Sequence, residues 1–320
     1  MKQLIIFTLS LALHHQAFSQ NNIRFSQLNF VQGVNNPAAL ALDGRVMVDM
    51  IFRNQWFGID GAPTTVAVNG QYELMDDMAV GLNVYHDQIG VDQTTSISGQ
   101  YAYRIFLENR NAIAFGLGLG VDNKIADYAS ASTIVANDPA FSGSFSRVLF
   151  NSSVGMYYYA PRFYFGLSIP QMFQSDFGRK GADLKTQFHY YLSTGLYLDA
   201  GENFTFNPHI QVKTTQNAPI AGDLVLRNTI MGRFSLVVGY RTENSLIAGV
   251  DMLITPFIRA GYSFNHDIGP LARTKGMSNE LYVGIALPYN NSREDFGKRR
   301  YINNGGGFMT NYKRNYKKGR

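Results

Sequence analysis

Short segments in which apolar and polar residues alternate recur along this chain, and beyond residue 19 no apolar run approaches the roughly 18 residues a membrane-crossing helix requires. In "TTVAVNGQYEL", Thr64, Val66, Val68, Gly70, Tyr72 and Leu74 share one face; Thr65, Ala67, Asn69, Gln71 and Glu73 share the other. In "NFTFNPHIQVK", Phe204, Phe206, Pro208, Ile210 and Val212 alternate with Asn203, Thr205, Asn207, His209, Gln211 and Lys213. Phe234, Leu236, Val238 and Tyr240 continue the pattern, with Val237 breaking it, and Leu281, Val283, Ile285 and Leu287 close the series. Period two means strands with one apolar face.

A soluble β-sandwich alternates as well, so connection lengths must separate it from a barrel. Strands are expected to begin near residues 44, 64, 78, 94, 112, 147, 162, 186, 203, 222, 233, 245, 257 and 280. Tight connections at 75–77, 108–111, 160–161, 200–202, 231–232 and 255–256 then alternate with longer ones at 54–63, 87–93, 123–146, 171–185, 214–221 and 267–279; "RTEN" at 241–244 is short where a long one is due. Short turns at one end and long loops at the other are the habit of outer-membrane barrels. The fold class expected is therefore all-β, an outer-membrane antiparallel β-barrel of about 14 strands, with lipid as its surroundings and a secreted β domain as the competing reading. Composition agrees: aromatics make up 13% and charged residues only 16%, below the usual quarter. The even strand number puts both chain ends on the short-turn side, in the periplasm.

The termini divide the rest. Lys2, the apolar stretch Leu4 to Leu13 and the small residues of Ala17-Phe18-Ser19 make residues 1–19 a secretory signal, cleaved between Ser19 and Gln20. The chain has no Cys, which excludes an N-terminal lipid anchor, a disulfide framework and a thiolate metal site. Residues 20–43 form a lead or a lumen plug, the plug being favoured because Phe25, Leu28, Phe30 and Val31 would otherwise be exposed. Residues 44–292 form the barrel, and residues 293–320 a basic periplasmic tail. The tail holds nine Lys or Arg, among them Lys298, Arg299, Arg300, Lys313, Arg314, Lys317 and Lys318, against Glu294 and Asp295. The chain's net +5 thus belongs to its tail, whose expected partners are an acidic protein surface or anionic cell-wall material rather than nucleic acid.

The first long connection, "RNQWFGIDGAPT", holds the only Trp. Gly58, Gly61 and Pro63 make its bends, Asp60-Gly61 forms a turn pair, and Trp56 is either an interfacial girdle residue or an anchor for the loop or a partner. "FSQLNFVQGVNNPAALALDG" at 25–44 followed by "RNQWFGIDGAPTT" at 53–65 resembles the amino-terminal signature of the PorP/SprF family, outer-membrane proteins of the type IX secretion and gliding machinery of Bacteroidetes. "VGLNVYHDQIG", "YAYRI", "YYAPRFYFGLSIP" and "RAGYSFNHDIG" are similar to later family blocks. The resemblance implies a non-enzymatic barrel that supports secretion or surface retention of cargo such as large adhesins and contacts periplasmic machinery. It marks Arg53, Asn54, Gln55, Trp56, Gly58, Asp60, Gly61, Ala62, Pro63 and Thr64 as signature residues, read here as a partner-binding loop. The alternative is a transport channel for a small or hydrophobic solute, its lumen lined by residues such as Gln71, Glu73, His209 and Lys213.

No catalytic, metal or cofactor site is expected. His86-Asp87 and His266-Asp267 could be drawn into a triad with one of many Ser, but no GxSxG or HExxH accompanies them, and strand ends facing water account for both pairs. "GLGLG" at 116–120 lies inside an alternating strand with no helix after it, where glycine makes room for a close neighbour rather than for a phosphate.

Overall fold

The structure, a computed structural model, describes residues 25–27, 32–40, 46–75, 77–128, 143–173, 187–201, 203–216, 218–242, 244–255, 257–269 and 277–287. Fifteen strand segments follow one another: β1 (Val46–Asn54), β2 (Thr64–Met75), β3 (Met78–Ile89), β4 (Asp92–Phe106), β5 (Ala112–Asp127), β6 (Ser144–Tyr159), β7 (Phe163–Ile169), β8 (His189–Leu196), β9 (Leu198–Ala200), β10 (Phe204–Thr215), β11 (Ala221–Ile230), β12 (Phe234–Arg241), β13 (Ser245–Thr255), β14 (Ile258–Asp267) and β15 (Ser278–Leu287). Both β8 and β9 pair with β10, so they make a single stave interrupted at Tyr197. Every neighbour in the ring is antiparallel, and β15 closes onto β1 from Val46 opposite Leu287 to Asn54 opposite Asn279. The result is a closed 14-strand barrel. Closure pairs the main chain of every stave on both sides, which is what allows strands to cross lipid.

Alternation is resolved inside out. On β15, Leu281, Val283, Ile285 and Leu287 face outward and are exposed, while Glu280, Tyr282 and Ala286 face inward and are buried. On β10, Phe204, Phe206 and Ile210 face out while Asn207, His209, Gln211 and Lys213 are buried within. The apolar face therefore meets lipid and the polar face fills the interior. Val237 interrupts the pattern because it points inward, where it packs with Val225 and Ile247.

Strand starts fall within three residues of those expected. One connection differs: β3 runs to Ile89 and β4 begins at Asp92, so 87–93 is a tight turn rather than a long loop. Polar residues on both faces of "HDQ" resemble a loop in sequence, yet the ladder continues with His86 opposite Thr95 and Gln88 opposite Gln93. Gly90, at φ 59, takes the left-handed conformation that the turn needs.

The amino-terminal segment differs from expectation in the course it takes, since both chain ends are expected on the short-turn side. Val46 and Leu287 do pair at the short-turn end. The described residues ahead of β1, 25–27 and 32–40, lie inside the barrel. Leu40 packs on Ala79 and Ala102 near the short-turn ends of β3 and β4. Phe25 packs on Ile51, Ala67 and Tyr282, and Ser26 reaches Asn265 and Glu280, two residues from the long-loop ends of β14 and β15. The segment thus descends from the long-loop half of the lumen toward the short-turn end.

Candidate functional site

The interior and the outer rim are where the chain can meet anything other than lipid. One side of the interior is a cradle for the amino-terminal segment. Inward positions of β5 are Ala112, Ala114, Gly116 and Gly118, and Gly116 pairs across the ladder with Gly155 of β6. A Cβ at Gly116 would overlap the backbone of Pro37 and Ala38, and one at Gly155 would overlap the Asn36 carboxamide. Gly116, the first glycine of the "GLGLG" run, and Gly155 thus make a flat floor for Asn36-Pro37-Ala38, the close approach that glycine in a strand permits.

Asn36 is held from several sides. Its extended backbone (φ −139°) suits the residue before a proline, and its Oδ1 accepts from Ala38 N at 2.9 Å, capping the 3-10 turn Pro37–Ala39. Its Nδ2 donates to the Met156 and Leu167 carbonyls, each at 3.2 Å. Tyr157 donates to Gln32 Oε1, Tyr159 to the Ala38 carbonyl at 3.0 Å, and Gln100 to the Gly33 carbonyl at 2.9 Å. Tyr157 stacks on both Tyr159 and Tyr164, with centroids 4.5 and 5.6 Å apart, so the small side chains of Ala38 and Ala39 rest against a tyrosine wall.

The opposite side is charged. Asp251 accepts from Arg227 Nε and Nη2 at 2.9 and 2.6 Å and from Arg259 Nη1 at 3.1 Å. Arg241 donates to both oxygens of Asp223, Tyr282 donates to Asp49 at 2.7 Å, and Arg53 Nε lies 3.7 Å from Glu280 Oε1. Glu280 also accepts the main-chain N–H of Ser26 at 2.7 Å and of Gln27 at 3.3 Å. Arg259 and Asp251 are each only 1% exposed. Charges so buried require pairing, since an uncompensated one is costly to desolvate.

The signature residues separate by role. Arg53 points inward to Glu280, and Asn54 ends β1 opposite Thr64 and Asn279. Gln55 donates its N–H to Pro63 O, and Ala62 to Ile59 O. Trp56 is half-buried at φ 55; its N–H reaches Ser278 Oγ, and Phe57 N–H donates to Met277 O at 2.8 Å. A bulky residue in that backbone region is held there by its surroundings, here the start of β15. Gly58 and Gly61, at φ 91 and 72, make the bends, and Gly61 O accepts from Gly90 N. The loop is therefore pinned to both neighbouring connections, and its tip presents Phe57, 67% exposed, with Ile59 and Asp60.

Of the four residues expected to line a lumen, His209 and Lys213 are buried within it, and Gln71 and Glu73 are half-buried toward the short-turn end of the same face. His209 shares a hydrogen bond with Tyr164. Sequence reasoning passed over Asp49, Asp223, Arg227, Asp251, Arg259 and Glu280, although a charge at the polar position of an alternating strand is the signal that finds them. His86 pairs with Thr95 Oγ1 and Asp87 with Thr65 Oγ1, so each has a neutral strand partner; His266 is exposed. Among the described residues no group of His, Cys, Asp or Glu could hold a metal ion. The signal segment, Gly44 and the basic tail lie outside the described residues.

The fold is similar to that of solved outer-membrane barrels. These include the CymD monoaromatic hydrocarbon channel (11% identity, TM-score 0.50, covering 83% of this chain and 94% of that one). They also include Omp33 of Acinetobacter baumannii (10%, TM-score 0.44, 76% and 99%) and the P. putida toluene transporter TodX (10%, TM-score 0.46, 81% and 94%). No curated protein sequence matches the chain significantly. The model of the type IX secretion system membrane proteins PorP/SprF matches residues 17–285, which takes in the interior segment, the pinned loop and every strand of the closed barrel but the last two residues of β15. The chain belongs to the PorP/SprF family of type IX secretion system membrane proteins.

Proposed function

We propose that this barrel works as a plugged, non-enzymatic support for type IX export or for surface anchoring of a secreted cargo such as a large adhesin. The observation that carries this reading is the filled interior: Gln32–Leu40 lies across the tyrosine side, and ion pairs knit the other. A barrel packed in this way offers protein contacts at its two ends rather than a path through its middle. After cleavage near Ser19, the loop around Trp56 serves as the outer contact. The basic tail at 293–320 meets an acidic component of the periplasmic machinery or the cell wall.

Deleting the gene is expected to strip one or a few large proteins from the cell surface while growth on simple nutrients continues; normal display of every type IX cargo would sink the proposal. Trp56→Ala is expected to lower cargo retention while the barrel still inserts and resists protease. Truncation after Asn291 is expected to release a periplasmic partner and leave the barrel in place. The rival reading, a channel for a small or hydrophobic solute, draws on the likeness to CymD and requires the interior segment to leave the lumen. Solute uptake by the reconstituted wild-type barrel, with no partner bound, would establish it instead.

A further inference from the structure

A recess of about 40 Å³ lies in the long-loop half of the interior, beside the amino-terminal segment and separate from the rim loop. Val34 and Asn35 of that segment form its floor, Ser96, Ser98 and Ser152 part of its wall, and half-exposed Pro170 and Gln171, just past the end of β7, its mouth. Among the described residues no charged side chain lines it. Two of its side chains are buried with a hydrogen-bonding atom unused among the described residues: Asn35, 8% exposed, has no acceptor there for its Nδ2, and Asn83, 5% exposed, has no donor for its Oδ1. Each such atom forfeits its hydration without a partner in return, and these two share one recess. Two further amides in its wall are committed: Gln100 donates to Gly33 and accepts from Asn69, and Asn151 donates to Asp122 behind the wall.

We propose that this recess is a binding site for the side-chain carboxamide of an Asn or Gln on a peptide entering from the long-loop end. One planar carboxamide supplies both missing partners, an oxygen for the Asn35 donor and an N–H for the Asn83 acceptor, while the serine hydroxyls adapt to either role. The volume suits one small group and a few waters. The floor closes the recess, so a side chain can end there whereas a main chain would have to turn back. A carboxylate is disfavoured because no cation lines the site and Asp122 stands behind Asn151. This assignment rests on the recess itself and stands whether or not the barrel retains cargo.

The test uses the purified full-length barrel in detergent with three blocked tripeptides, acetyl-Gly-Asn-Gly-N-methylamide and its Asp and Leu counterparts, so that only the first carries a primary carboxamide, followed by ligand-observed saturation-transfer NMR. The Asn peptide is expected to bind saturably in the millimolar range, as befits a ligand contributing on the order of ten non-hydrogen atoms. The Asp and Leu peptides are expected to bind at least tenfold more weakly. Asn83→Leu is expected to abolish the discrimination without lowering the unfolding temperature, since it removes an unpaired polar atom. Ser98→Leu, which fills the recess from the wall, is expected to act likewise and covers the case in which Asn83→Leu fails to fold. Equal binding of the Leu or Asp peptide, no saturable binding of the Asn peptide, or discrimination that survives a folded variant would each overturn the assignment and leave the recess as a water pocket.

Discussion

The two sides of the barrel interior are filled by opposite means. Around β11 to β15 and β1, acids and arginines pair wall to wall, and the segment touches that side where Phe25 packs on Ile51 and Tyr282 and where Ser26 and Gln27 donate to Glu280. Around β4 to β8 the part of the wall that meets the segment is largely glycine, alanine and tyrosine, and its volume is filled by Gln32–Leu40. The charged side is closed by its own side chains; the tyrosine side is closed by the amino-terminal segment.

The sharpest way to break the comparison is Asp251→Ala, which leaves Arg227 and Arg259 buried without their shared anion. The expected loss is about 3–5 kcal/mol, read as a lower temperature for the heat-induced shift of the folded band on gels; unchanged unfolding would show that the ion pairs do not hold the wall. A second substitution, Gly116→Leu, drives a side chain into the Pro37–Ala38 backbone. The barrel is expected to persist while residues 32–40 become open to protease and the reconstituted protein begins to conduct. Loss of the barrel itself would mean that the segment is part of the wall's stability. The smallest effect belongs to Tyr157→Phe, which deletes the hydrogen bond to Gln32 at about 1 kcal/mol. Protease should reach the segment several-fold faster with no change in barrel unfolding; equal changes in both would erase the distinction between the two sides.

Much of the architecture was legible because lipid imposes a simple code on each strand. Phe204, Phe206 and Ile210 had to share a face, and the alternation of tight and long connections separated a barrel from a sandwich. The hairpin at 87–93 was misread because a strand that stays polar on both faces loses the period-two contrast. Within the interior, "GLGLG" could be recognised as a place of close approach, but its neighbour could not be named. Asn36-Pro37-Ala38 is separated from Gly116 by four strands and meets it only when the ring has closed.

The sequence by itself determined the strands, their approximate starts, the apolar faces and the family. These follow from local periodicity and from motifs read within a few residues. Only the tertiary structure decided that the amino-terminal segment descends from the long-loop half, that Arg53 turns inward to Glu280, and that Arg227, Asp251 and Arg259 share one cluster. Those are matters of ring closure and register. Arg53 and Glu280 are opposite each other because β15 returns to β1, and a shift of one residue would turn every inward side chain toward lipid.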